Sequence, residues 1–311
     1  MGELKKRMAV AAVGIPLVLL VLTNYTACCF LLLTAVLLGY REYRGMVLLM
    51  MELATGKEDS EFVRNLQSAP SVFLAQLLMP LYCIITHRDG LSQLPWSLLT
   101  GLLIQAAVLF TLRTLQYKGI KAELSTPEKP EEHYLLPKYR ILAFQATCYD
   151  FAFMVFVSLS LTSALQILLL QARTKVLFLW FTATWQTDNG CLVFGKLFGT
   201  RKVAQFMGNS KTVEGIVGGY ALCWGSLLGC NLLLYDLVIP GLQFTQVGIA
   251  AVMFSTTAVV GDLGHSFIKQ AAHTKNTPEL PLGHRGLLDR MNSLCLGCPV
   301  AWVLVKAFEI S

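Results

Sequence analysis

The sequence predicts an all-α fold: a polytopic transmembrane helical bundle of about nine spans, with the N-terminus in the cytosol. Three observations lead there. Hydrophobic residues make up 55% of the 311 residues and charged residues only 14%, whereas soluble domains carry about 25% charged residues. Mean hydropathy is +0.57. Apolar runs of crossing length recur from end to end. A chain so poor in charge cannot cover a soluble core with a wetted surface. The net charge of +6 comes from a small pool of Lys and Arg, so their placement carries more information than their sum.

The elements follow in order. Lys5, Lys6 and Arg7 precede an apolar run from Met8 to Leu22, a pattern shared with signal peptides. Tyr25 stands where a cleavage site wants a small residue, so the run reads as a retained first span. A helix crosses the bilayer with about 20 apolar residues, or fewer when tilted. The candidate spans are 8–23, 25–39, 71–86, 94–112, 141–168, 174–195, 213–234, 244–262 and 293–310. The first two are short enough to form a hairpin that does not fully cross. Segment 113–140 is the long polar stretch. Its core, Ser125-Thr126-Pro127-Glu128-Lys129-Pro130-Glu131-Glu132, reads as a solvated linker. The chain thus divides into N-terminal transmembrane helices (1–112), a polar cytosolic loop (113–140) and a C-terminal transmembrane catalytic region (141–311). No internal repeat points to an inverted-repeat transporter.

The charges test this threading. With the N-terminus in the cytosol, all Lys and Arg but Arg88, Arg173, Lys175 and Lys306 fall on the cytosolic side, the asymmetry expected of an inner face. Most of the nine cysteines lie inside apolar runs, where a thiol packs as a small hydrophobe. Cys295 and Cys298 form a lone C-x-x-C with no second pair and no His at ligand spacing.

Chemistry concentrates in three polar clusters near the cytosolic ends of the later spans. Ionisable residues at membrane depth are costly, so each needs a reason. The first cluster is Thr187-Asp188-Asn189-Gly190 with Gly195, Lys196, Gly199, Arg201 and Lys202. Its glycines admit close approach of either another helix or a ligand. The second, Gly208-Asn209-Ser210-Lys211-Thr212-Val213-Glu214-Gly215, reads as a polar turn feeding a helix N-terminus. Ser210 or Thr212 would cap that helix, and Lys211 beside free N–H groups suits a phosphate. The Walker spacing is absent. In the third cluster Asp262, His265, Ser266 and Lys269 fall at i, i+3, i+4 and i+7, on one helical face. A polar loop follows, through Lys275 to Pro281-Leu282-Gly283-His284-Arg285-Gly286-Leu287-Leu288-Asp289-Arg290-Met291-Asn292. The bland alternatives are helix packing for the first cluster, an ordinary cap for the second and a solvated loop for the third.

Together these residues resemble the signature of the CDP-diacylglycerol synthases, or phosphatidate cytidylyltransferases. Ser266, Lys269, Lys275, His284, Gly286, Asp289 and Arg290 match it in register without a gap. Upstream, Asp188, Gly190, Gly195, Phe198 and Gly199 resemble the family's Asp-Thr-Gly-Ala and Gly-x-x-Phe-Gly segments. Lys211, Thr212, Glu214, Gly215, Gly218 and Gly219 resemble its Lys-Lys-Thr-x-Glu-Gly-x-x-Gly-Gly. The likeness covers most of 180–295, and Leu4-Lys5-x-Arg7 with Pro16-Leu17 extends it to the N-terminus. The departures are Gln270 for Arg, Asn276 for Asp, Leu282 for Pro, Arg285 for the first Gly of the segment, Asn292 for the final Asp, and His265 where Glu is usual.

The resemblance implies that phosphatidic acid attacks the α-phosphorus of CTP, giving CDP-diacylglycerol and pyrophosphate for phospholipid biosynthesis. It implies catalytic roles for Asp188, Lys211, Glu214, Ser266, Lys269, His284, Asp289 and Arg290, and Mg2+ held by Asp262 and Asp289. Lys211, Lys269 and Arg290 would clamp phosphate oxygens. Asp188 and Glu214 would bind a second cation or orient the lysines, and His284 would orient phosphate or the neighbouring acids. The implied setting is a multi-pass integral membrane protein, of a bacterial inner membrane or a eukaryotic ER-type membrane, with its site facing the cytosol. The implied partners are CTP, phosphatidic acid, the lipid bilayer and a second copy of the chain in a homodimer, with no nucleic acid. Two rivals stand beside this reading. One is a CTP-dependent lipid kinase, such as a polyprenol kinase, which would release CDP. The other is an inactive lipid-binding relative, suggested by the amides at Asn276 and Asn292.

Overall fold

The computed structural model describes residues 24–55, 60–86, 94–124, 136–168, 170, 173–203, 211–233, 242–274 and 286–308. Among them the fold is helical, with one isolated antiparallel bridge between Lys202 and Thr212. The helices are α1 (Tyr25–Thr55), α2 (Ser60–Gln67), α3 (Pro70–Ala75), α4 (Leu78–Thr86), α5 (Leu94–Leu124) and α6 (Leu136–Phe153). A π-helical stretch (Met154–Leu159) runs into α7 (Ser160–Ile167). Then come α8 (Arg173–Phe198), α9 (Val213–Leu233), α10 (Phe244–Ala271), α11 (Leu287–Cys295) and α12 (Gly297–Ala307). The local sequence explains several boundaries. Asn24 caps α1 by accepting the N–H groups of Thr26 and Ala27. Pro70 opens α3, where its missing N–H costs nothing.

Eight of the nine expected spans fall on described helices; the ninth, 8–23, lies outside the described residues. Six helical segments are long and apolar enough to cross a membrane: Tyr25–Thr55, Glu61–Thr86, Trp96–Ala122, Pro137–Ile167, Val213–Leu233 and Phe244–Ala271. Two expectations change. The stretch at 25–39, read as too short to cross with certainty, belongs to a 31-residue helix, about 46 Å long against a hydrocarbon core of about 30 Å. The stretch at 113–140 is largely not loop. α5 continues to Leu124 and α6 begins at Leu136, while 125–135 lie outside the described residues. α8 is long enough to cross but less apolar, because Gln186, Thr187, Asp188 and Asn189 interrupt it. Those residues belong to the site described below.

The core lies where α1 packs against α6, the π-helical stretch, α7 and α11, with α12 packed on α7, around Val36, Tyr40, Met46, Phe153, Leu165 and Cys298. All nine thiols are free, and seven of them are buried. Burial extends to polar groups. Arg113 Nε donates to Asp150 Oδ2 at 2.7 Å with both side chains almost fully enclosed. Tyr40 donates its hydroxyl to the other oxygen of Asp150 at 2.8 Å, and the Leu66 carbonyl accepts from Arg113 Nη1. Arg113, expected at the start of a solvated loop, instead locks α1, α5, α6 and the end of α2 together. Four helix ends meet at one end of the bundle: the C-terminal parts of α8 and α10 and the N-terminal parts of α9 and α11.

Candidate active site

The site begins with the turn between α8 and α9. Its two arms pair through Val203 N–H to the Lys211 carbonyl and Val213 N–H to the Arg201 carbonyl, both 2.9 Å. This returns Lys211 and Thr212 to the flank of α8. Thr212 Oγ1 accepts the Gly215 N–H at 3.1 Å and caps α9. Without side chains, the glycines of α8 and α9 let the helices touch. A Cβ on Gly190 would stand 2.6 Å from the Gly219 Cα and 2.8 Å from the Gly218 carbonyl. The packing reading of the first cluster thus describes these glycines, and the same contact sets Asp188 opposite Lys211.

Lys211 Nζ lies 3.1 Å from Asp262 Oδ2 and 3.5 Å from Asp188 Oδ1. Burial pulls its ammonium toward neutrality, but Asp262 and Asp188 outweigh that and hold its pKa above the ordinary lysine value. Asn292 Nδ2, from α11, donates to Asp262 Oδ1 at 2.6 Å. Residues from the α8–α9 turn, α8, α10 and α11 therefore converge on one point. Asp188 lies ten residues before the end of α8 and Asp262 nine before the end of α10, so the point sits about 14–15 Å in from those helix ends.

A second knot adjoins it. Lys269 Nζ is 2.6 Å from Asp289 Oδ1, and His265 Nδ1 is 3.4 Å from the same oxygen. The Asp289 side chain is only 7% exposed, so the lysine compensates a nearly enclosed charge. His265 makes no hydrogen bond with good geometry among the described residues.

The structure sorts the expected residues. Asp188, Lys211 and Asp262 share one cluster, and Lys269 with Asp289 forms its neighbour. Glu214 faces elsewhere: it accepts the hydroxyl of Thr200 at 2.6 Å and the N–H groups of Thr200 and Arg201 at 3.1 and 3.3 Å. It thereby ties the end of α8 to the start of α9. Ser266 is half-buried on α10 and makes no side-chain hydrogen bond among the described residues. Arg290 follows Asp289 in α11. His284 lies outside the described residues, as do Lys275, Asn276 and Arg285. Sequence reasoning missed Glu42, whose carboxylate accepts the N–H groups of Leu287 and Leu288 at 2.7 and 2.9 Å. The available signal was an acid set between Arg41 and Arg44 in the middle of a long, mostly apolar helix. It also treated Asn292 only as a lost charge, whereas the amide is a donor to Asp262.

The donor set suits Mg2+, which usually takes one or two carboxylates and fills its remaining positions with water and phosphate oxygens. Asp188 and Asp262 already aim at a common cation, the Lys211 ammonium. No group of three acidic, His or Cys ligands gathers among the described residues, and a two-carboxylate site does not need one.

The sequence profile of the cytidylyltransferase family matches residues 5–308. The chain belongs to that family. Among curated cytidylyltransferases it is similar to the phosphatidate cytidylyltransferase of Haemophilus influenzae, 33% identical over 124 residues, 38% of this chain and 41% of that protein. It is likewise similar to that of Pseudomonas aeruginosa, 35% identical over 123 residues, 40% of this chain and 44% of the relative. The phosphatidate cytidylyltransferase of Staphylococcus saprophyticus is 30% identical over 129 residues, 40% and 46% of the respective chains. The matched stretch thus spans less than half the length of each relative. The family expected from the signature residues is the family found.

Proposed function

We propose that this cytidylyltransferase makes CDP-diacylglycerol and pyrophosphate from CTP and phosphatidic acid. The observation that carries the reading is the convergence of Asp188, Lys211 and Asp262, with Lys269–Asp289 beside them. The names of the similar relatives support the same chemistry. A phosphatidate oxygen would form a bond to the α-phosphorus as the bond to the pyrophosphate oxygen breaks. Both reactants are anions, so charge compensation and alignment carry most of the catalysis.

The residues divide that work. Lys211 and Lys269 supply fixed positive charge where phosphate oxygens must gather, and each is held by carboxylates rather than left to swing. Asn292 fixes the orientation of Asp262. Asp188 and Asp262 would hold Mg2+, which supplies charge neutralisation and polarisation of phosphoryl oxygens. Asp289, the other expected metal ligand, is engaged by Lys269. No general base is required, since the attacking phosphate is already ionised.

We further infer that the site opens to the cytosol, where CTP is made, with the lipid entering sideways between helices. The exposed Lys118, Lys121, Lys196, Arg201 and Lys202 at expected cytosolic helix ends support this. A homodimer is compatible with the open face of α9 at Gly225 and Gly229, where an added Cβ would meet nothing within 4 Å.

Purified chain in detergent, given phosphatidic acid, CTP and Mg2+, tests the reading by product analysis. Pyrophosphate and CDP-lipid in equal amounts support it. CDP with a newly phosphorylated lipid would make the chain a kinase, and no turnover at any Mg2+ concentration would make it an inactive relative. Asp289→Asn removes the charge facing Lys269 and should lower kcat at least about 100-fold while the protein still elutes as a folded species. Full activity in that variant would remove Asp289 from the machinery.

A further inference from the structure

We infer that Glu42 is a positioning residue for this site: from α1 it holds the helix that presents Asp289 and Asn292. Its consequence for turnover rests on the cytidylyltransferase reading; its geometry does not. Glu42 is 4% exposed. Its Oε1 accepts the Leu287 N–H at 2.7 Å and its Oε2 the Leu288 N–H at 2.9 Å. These are the first two amides of α11, whose N-cap is Gly286. Glycine offers no side-chain oxygen, so Gly286 cannot itself satisfy the opening N–H groups of α11. Glu42, 245 positions away in sequence, takes that role with both oxygens.

Two features make the contact more than a generic cap. First, a helix N-terminus beside a phosphate-handling site is an obvious anion cradle, yet these two N–H groups are committed to an internal carboxylate. α11 therefore contributes its side chains, not these amides. Second, α11 is gripped on two sides. Leu288 Cδ2 would stand 3.3 Å from a Cβ on Gly39, one turn before Glu42 on α1, and the Asn292 carbonyl lies directly against Gly261 on α10. With nine residues, α11 cannot shift at its start without carrying Asp289 and Asn292 along. Those residues form the 2.6 Å contacts to Lys269 and Asp262. Glu42 touches neither partner and acts through the helix.

Purified full-length wild type, Glu42→Gln and Glu42→Ala in detergent test this, with Glu52→Gln as control. Glu52 lies on the same helix, paired with Arg64 at 3.2 Å. Gln keeps one acceptor and turns an N–H2 toward the other amide, so its defect should be intermediate. We expect kcat to fall about 5-fold in the Gln variant and about 30-fold in the Ala variant, with the KM for CTP within about threefold of wild type, because the alignment of bound reactants is what suffers. Amide exchange over 286–296 should accelerate about tenfold in Glu42→Ala while 213–233 keeps its wild-type rate. Glu52→Gln should match wild type in both measurements. An Ala variant with wild-type kcat, or with exchange over 286–296 unchanged, overturns the inference. So does exchange that accelerates equally in every helix, since that marks general loosening. A wild type that never turns over overturns the cytidylyltransferase reading and the catalytic consequence together, while the exchange arm still decides the cap.

Discussion

At position 292 the amide nitrogen stands 2.6 Å from Asp262 Oδ1 and donates to it. An aspartate there, as in the family signature, would set two acceptors at hydrogen-bonding distance. Asn292→Asp should therefore lower stability by about 1–3 kcal/mol in EDTA, since neither oxygen has a proton to share. Mg2+ should restore the loss, and the concentration giving half-maximal turnover should fall at least about threefold, because the cation gains a ligand charge. Thermal unfolding with and without Mg2+, beside a turnover titration, checks both halves. Identical melting shifts in wild type and variant would mean that no cation binds beside Asp262. The sequence made Asn292 legible as a missing charge but not as a donor, because hydrogen-bond direction depends on which atom faces it across two helices. Glu214 illustrates the same limit: its place after a polar turn was readable, but not that Thr200 and Arg201 would claim its carboxylate.

Between elements, the contact of α8 with α9 depends on absent side chains. A Cβ on Gly190 would press on the Gly219 Cα and the Gly218 carbonyl, and backbone atoms cannot rotate away. Gly190→Ala should cost about 1–3 kcal/mol and, by moving α9, separate Lys211 from Asp188. Gly225→Ala and Gly229→Ala, on α9 but with open space around the added carbon, should be neutral or stabilising by up to about 1 kcal/mol. Melting curves of the three variants in one detergent decide it, and equal losses at all three positions would mean that close approach is not what Gly190 provides. Helix existence was legible at this scale because apolar runs report length directly. Which glycine faces a neighbour was not, since Gly190, Gly215, Gly225 and Gly229 look alike until helix rotation is known. The same blindness explains the polar loop expected from 113. A single arginine ends an apolar run in a hydropathy profile, yet α5 continues past it because Arg113 finds Asp150.

Across the whole molecule, that buried pair joins the N-terminal helices to the site. Tyr40 and Glu42 both lie on α1; Tyr40 ties the helix to Asp150, and Glu42 ties it to α11. An enclosed ion pair adds little when compared with well-packed apolar residues, but losing one partner strands a charge without water. Asp150→Leu leaves the Arg113 guanidinium uncompensated and should cost about 3–5 kcal/mol, and Arg113→Met, which strands the carboxylate, should cost a similar amount. The double variant Arg113→Met/Asp150→Leu strands neither and should be more stable than either single variant. Thermal unfolding of the four proteins closes a double-mutant cycle, with an expected coupling of at least about 3 kcal/mol. Additive losses would show that the two charges act separately, and α1 would then be held by its apolar face around Val36 and Met46. Coupling of the expected size makes the pair a fixed joint, through which a change deep among α1, α5 and α6 reaches Asp289 by way of Glu42.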